Sequence, residues 1–187
     1  AYAKQLFYET LAHLLQTKYR PSNLLIITFT RKAARELKER LNSLSVNTQG
    51  LTVLTFHSFG LSILRKFKHL LNMNEFRILT QAEQRNVLAS ITKGVDKNLL
   101  LSLQRYKAHG TCSGDLKPIF DQYNSILRKE NSCDFTDLLV LPLQILKFNP
   151  NTLQYYQRRY QYALVDEMQD VSRVQFELMK LLFGEVD

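Results

Sequence analysis

Cysteine is scarce: Cys112 and Cys133 stand alone, with no CxxC and no histidine at zinc spacing. That excludes a disulfide framework and a sequence-encoded zinc site, and the two side chains read as reduced thiols of a cytosolic protein. Long apolar runs are missing as well. None approaches the span of a bilayer and no signal-peptide pattern opens the chain, so no membrane partner is expected. Internal repeats and low-complexity segments are also absent. Acid is in short supply: 17 Asp and Glu stand against 25 Lys and Arg, a formal charge of +8 that favours polyanionic partners, nucleic acid first. What remains is ordinary globular material. The 187 residues, 45% hydrophobic, suffice for one domain with a core, or a core plus a small insertion.

Helical spacing of Leu6, Phe7, Leu11 and Leu14 predicts an amphipathic helix over 2–18, and Pro21 marks a turn. Residues 24–29 are apolar almost throughout and read as a buried parallel strand. Thr30 caps a helix to about residue 42, with Ala34, Leu37 and Leu41 inward and Arg31, Lys32, Arg35, Lys38 and Arg40 outward. A second strand, 51–56, flows into a helix from 57 to about 71. Strand–helix–strand–helix is the grammar of an α/β parallel sheet. From 77 to 160 no strand is expected. Thr80 with Glu83 makes a capping box for a helix to 91, and further helices are expected over 96–108, 115–130, 135–148 and 151–159. The organisation expected is a core of 1–72 and 160–187 with an all-helical insertion, 73–159.

Residues 162–165 form a short apolar run, enough for one buried strand, and three acids follow within five residues: Asp166, Glu167 and Asp170. Carboxylates are costly to desolvate, and the carboxyl end of a parallel strand is where open α/β sheets bind ligands. One acid could hold a divalent metal while another orients a water, the division that hydrolysis of a nucleoside triphosphate needs. The competing reading is that Asp166 or Asp170 caps a helix over 171–183, which accounts for one acid and not for three.

Two strand-to-helix junctions carry an aromatic ring followed by polar donors. At the first, Phe29 could stack on a base, while Thr30, Arg31 and Lys32 open a helix whose free N–H groups suit phosphate. At the second, Thr55, Phe56, His57 and Ser58 repeat the arrangement. The plainer alternatives are a core Phe, a solvated basic face and a helix-start His. Asp134 reads as a helix cap with Asp137 in the first turn, and Arg158 and Arg159 read as solvated.

Four stretches taken in order, Ile27 to Leu37, Thr55 to Ser58, Asp134 to Leu139, and Val165 to Asp170 followed by Gln175, resemble the amino-terminal ATPase region of the UvrD/Rep/PcrA group of superfamily-one DNA helicases. The likeness covers nearly the whole chain. It implies a partial RecA-like parallel sheet with a helical inserted subdomain. It implies ATP with Mg2+ as cofactors, and 3′-to-5′ movement on single-stranded DNA. By that resemblance Asp166 helps hold the magnesium ion, Glu167 is the base for the attacking water, and Gln169 and Asp170 couple the nucleotide site to neighbouring motifs. Phe29, Thr30, Thr55 and His57 would contact single-stranded DNA, with Arg31, Lys32, Phe56 and Ser58 beside them. A second RecA-like domain is expected in the full-length protein.

The family begins with a Gly-rich phosphate loop ending in Gly-Lys-Thr, whose backbone N–H groups converge on phosphate. Here the opening residues are Ala-Tyr-Ala-Lys-Gln. Lys4 stands as the candidate relic of the loop lysine, Gln5 replaces the magnesium-ligating Thr, and truncation before Ala1 is the expected reason, with little or no ATP turnover by these residues alone. Arg31 replaces a usual Asn and Met168 a usual aromatic. The alternatives from other classes are a non-catalytic nucleic-acid-binding module and the helicase part of a helicase–nuclease.

Overall fold

Leu24–Thr28 (β1) has no polar face: all five residues are buried, as befits a strand covered on both sides. The computed structural model describes residues 2–44, 46–166 and 171–184. Helix α1 (Tyr2–Thr17) precedes β1, and α2 (Arg31–Ser43) follows it. Strand β2 (Thr52–Thr55) pairs in parallel with β1, Thr28 lying opposite Thr55. On the other side of β1 lies β5 (Tyr162–Val165), also parallel, Ile27 opposite Val165. The sheet order is therefore β2-β1-β5 and all three strands run the same way. The chain leaves β1 toward one neighbour and returns to the other, so the order reverses at β1, where open α/β sheets place their ligands. Leu11 of α1 and Leu37 and Leu41 of α2 pack with Ile26 and Val53, which joins both helices to the sheet.

The chain forms two units, Ala1–Phe59 with Leu146–Asp187, and Gly60–Ile145. The first holds the sheet, α8 (Pro150–Arg159) and α9 (Arg173–Phe183). Beneath the sheet the rings of Phe59, Tyr156 and Tyr160 meet at about 6 Å, and the Tyr160 hydroxyl is 3.2 Å from Thr52 Oγ1. Helix α3 (Phe56–Phe67) carries the chain into the second unit and α7 (Asp137–Phe148) carries it back.

The second unit is mainly helical: α4 (Gln81–Ile91), α5 (Lys97–His109) and α6 (Lys117–Lys129) gather around Leu88, Leu103, Phe120 and Tyr123. The predicted capping box is present, the Thr80 hydroxyl accepting the Glu83 N–H and the Glu83 carboxylate accepting the Thr80 N–H. One expectation is corrected. Arg77–Ile78 (β3) and Ser132–Cys133 (β4) pair as parallel strands where none is predicted. Two residues apiece are too short to show any period of two, so nothing in the sequence announces them. No described helix is long and apolar enough to cross a membrane.

Gly60 lies where α3 touches α7 of this unit. A Cβ there would sit 1.8 Å from the Leu138 carbonyl oxygen and 3.4 Å from Pro142 Cγ. Backbone cannot yield as a side-chain tip can, so Gly60→Ala is expected to cost about 1–3 kcal/mol and lower Tm by roughly 3–10 °C. A thermal melt followed by circular dichroism checks this, and an unchanged Tm would refute the close helix contact.

Candidate functional site

Because β2, β1 and β5 are parallel and adjacent, their carboxyl ends share one edge of the sheet. The Asp166 N–H continues the ladder past β5, donating to the Ile27 carbonyl at 3.0 Å. This brings Asp166 beside Thr28, and Thr28 beside Thr55. At the usual spacing of neighbouring strands, Asp166 and Thr55 lie about 10 Å apart along the rim. The Asp166 side chain is half-buried at this edge.

Each junction is fixed by its own hydroxyls. Thr28, 1% exposed, donates from Oγ1 to the Thr30 carbonyl at 3.1 Å. Thr30 Oγ1 accepts the Ala33 N–H at 3.0 Å and caps α2, as the sequence predicts. The Thr30 carbonyl accepts the Ala34 N–H. The Arg31 and Lys32 N–H groups, at the first two helical positions, have no acceptor within the helix itself. Thr55 does the same for α3: its Oγ1 accepts the Ser58 N–H at 3.2 Å and donates to Ser58 Oγ at 2.9 Å. The Ser58 hydroxyl hydrogen is therefore the one left to donate onward. A groove of about 330 Å3 runs between α2 and β2, lined by Arg31, Arg35 and Lys38 with Thr55 and Ser58.

Phe29 lies half-buried just past β1, its ring edge-to-face with Phe56 at 6.0 Å. Phe56 itself is only 1% exposed, which corrects the expectation that both rings are offered to a ligand. The reason is one of register. Helix α3 starts at Phe56 and not at His57, so Phe56 falls with Phe59 and Ile63 on the buried helical stripe. His57 and Ser58 follow on the half-buried side. Burial lowers the His57 pKa below its ordinary value, so at neutral pH its imidazole is uncharged and acts as a hydrogen-bonding group.

The cap alternative for the acidic stretch is also resolved. Helix α9 starts at Arg173 and is capped by Ser172, whose Oγ accepts the Gln175 N–H while Gln175 Oε1 accepts the Ser172 N–H at 2.8 Å. The cap of α9 is thus Ser172 and not Asp166. Glu167, Gln169 and Asp170, and the side chain of Lys4, lie outside the described residues.

Asp134 and Asp137 cap α7 reciprocally, each carboxylate accepting the other's N–H at 3.0 Å. The structural reading holds, but a partner is added that spacing could not reveal. Lys107 Nζ lies 2.6 Å from Asp134 Oδ2 and 2.7 Å from Asp137 Oδ2, with all three side chains buried. The Tyr123 hydroxyl and the Gln84 amide also donate to Asp134 Oδ2.

The profile of the UvrD/REP helicase N-terminal domain matches residues 5–114 and 95–187. The chain is 34% identical to the ATP-dependent DNA helicase PcrA of Bacillus subtilis over 92% of its own length and 26% of that protein. It is likewise 34% identical to the ATP-dependent DNA helicase Rep of Escherichia coli, over 93% and 29% of the two chains. A probable DNA helicase II homolog of Rickettsia felis is 34% identical over 87% and 28%. The chain therefore spans under a third of the length of these relatives. It belongs to the UvrD/REP helicase N-terminal domain family.

Proposed function

We propose that this chain forms part of the motor of an ATP-dependent DNA helicase or translocase, with the 3′-to-5′ polarity that the resemblance implies. The observation that carries the reading is the shared carboxyl edge of β2, β1 and β5, with Asp166 beside Thr28 and both junction caps in line. Magnesium fits there: it takes one or two protein carboxylates and fills its shell with phosphate oxygens and water, and Asp166 offers a half-buried carboxylate at a strand end. When bound, the ion neutralises charge on the phosphate oxygens. Glu167 accepts the proton of the attacking water. Gln169 and Asp170 link that site to the DNA junctions, and Lys4 is the cation nearest in sequence to where the phosphates are expected. The unit Gly60–Ile145, which overlaps the 73–159 insertion read from the sequence over residues 73–145, serves as the accessory subdomain. A second RecA-like domain completes the nucleotide site.

On the DNA side, Phe29 stacks on a base and Phe56 backs its ring from within. Thr30, Arg31 and Lys32 hold phosphate through the start of α2, while neutral His57 and the Thr55 and Ser58 hydroxyls hydrogen-bond the strand. Phe29→Ala is accordingly expected to weaken binding of labelled oligothymidylate roughly 10- to 100-fold by fluorescence anisotropy. Arg31→Ala is expected to flatten the log–log salt dependence by about 0.7, one phosphate contact on a single strand. Wild-type affinity in the Phe29 variant would overturn this reading of the rim.

A further inference from the structure

The opposite edge of the same sheet carries a groove of about 740 Å3 that the motor reading does not use. One wall is a single face of α8. Asn151, Gln154, Tyr155, Arg158 and Arg159 recur there at i, i+3, i+4, i+7 and i+8. The other wall is Ser22 and Asn23, in the turn just before β1. The Gln161 N–H donates to the Asn23 carbonyl at 2.9 Å, which ties the two walls at the amino ends of β1 and β5. Five strand residues, about 17 Å, separate this groove from the carboxyl rim.

The composition of the groove is what calls for an explanation. α8 already buries Thr152 and Tyr156 on its inner side, so its outer stripe is free to be anything soluble. Soluble helix faces usually mix the two signs of charge. This one, with its facing turn, holds two guanidinium groups, three side-chain amides, one aliphatic hydroxyl and one phenol, and no carboxylate. Arg159 is held in place by donation to the Tyr155 hydroxyl at 3.3 Å and by the Tyr160 ring at 5.3 Å. Neither arginine has an ion-pair partner among the described residues, whereas Lys32, Lys68 and Lys117 each have one and Lys107 has two. The plain account is that cations in the last turn of a helix answer its dipole. It covers Arg158 and Arg159, but not the amides at 23, 151 and 154 that converge on the same space.

We infer that this groove is a second site for the phosphodiester backbone of nucleic acid. It rests on the motor reading only for the class of ligand. Arg, Ser, Asn, Gln and Tyr are the side chains that contact phosphate and sugar oxygens in protein–DNA interfaces. The planar guanidinium fork suits a phosphate's paired oxygens. Arg158 and Arg159 take the phosphate, and Asn23, Asn151 and Gln154 donate to the flanking oxygens.

The test is a 1H–15N correlation titration of this 187-residue chain with three probes: octathymidylate, inorganic phosphate and a polyglutamate peptide. Octathymidylate is expected to shift the backbone and side-chain amides of Asn23, Asn151 and Gln154. The Arg158→Ala/Arg159→Ala double variant should weaken those shifts at least about fivefold, roughly 1 kcal/mol. Gln154→Glu, at an exposed helix position where the fold is safe, should weaken them in the same direction by placing a carboxylate in the groove. Phe29→Ala separates the two sites: it should diminish shifts at 29–32 and 55–58 and leave those of the groove intact. Groove shifts without rim shifts would fail the motor reading alone and support this one. Groove residues unmoved by octathymidylate, moved by the peptide alone, or moved by inorganic phosphate alone, an adventitious ion only, would overturn it.

Discussion

Replacing Glu167 with glutamine is expected to lower ATP turnover about 10²- to 10⁴-fold in a longer, ATP-hydrolysing protein that carries this chain. Glutamine keeps the size and much of the hydrogen bonding of glutamate but cannot accept a proton. A group that acts only on the attacking water should show its loss in kcat, with KM for the nucleotide little changed. Affinity for single-stranded DNA should also stay within about twofold, because Phe29, Thr30 and His57 are untouched and association is read from ground-state contacts alone. Asp166→Asn should behave differently. On the proposed reading it weakens a magnesium ligand, so part of its loss should be recovered at higher magnesium concentration. Phosphate release at saturating DNA, with anisotropy on the same samples, measures both. Turnover within about threefold of wild type in the Glu167 variant would mean that the proton goes elsewhere.

Much of this geometry is legible in the sequence because it is local. Residues 24–28 announce a covered strand by being apolar on both faces, and the structure buries all five. Thr30 and Thr80 announce helix starts by chemistry that acts over three residues, and both hydrogen bonds are present. Ser172 with Gln175 carries the same capping signature, so the true start of α9 was there to be read, two positions beyond Asp170, the last of the acids that draw attention. Phe56 shows how narrow the margin is. A helix that starts one residue early turns a ring from the rim into the core, and boundaries are where propensity is weakest. What spacing cannot carry is tertiary partnership. Lys107 lies 27 residues before Asp134 on a helix that also carries Lys97 and Arg105, and nothing local sets it apart. The same holds for Arg158 and Arg159, ordinary last-turn cations until the turn at Ser22 and Asn23 is folded against them.

That hidden partnership at Lys107 sets the second large effect. Its ammonium lies 2.6 and 2.7 Å from two carboxylates and is itself only 5% exposed. Lys107→Met keeps most of the side-chain volume and removes the charge, leaving Asp134 and Asp137 buried beside each other. Loss of one partner from a buried cluster costs about 3–5 kcal/mol, which for a chain of this size lowers Tm by about 10–15 °C. The pH dependence follows from Asp137. Burial raises its pKa above the ordinary carboxylate value, and Lys107 opposes that rise. Without Lys107 the folded-state pKa moves higher still, so the folded protein takes up a proton more readily than the unfolded chain. The deficit is therefore fullest at neutral pH, and it narrows as pH falls through the raised value and Asp137 is neutralised. Adding Asp134→Asn and Asp137→Asn to the variant removes the stranded charges, and the amide oxygen then at position 134 can still accept the N–H of residue 137 as a cap. That triple variant is expected to regain most of the lost Tm, measured by thermal melts at pH 7 and pH 5. A triple variant no more stable than Lys107→Met would assign the loss to packing against the Tyr123 ring, 5.3 Å from Nζ, and not to charge.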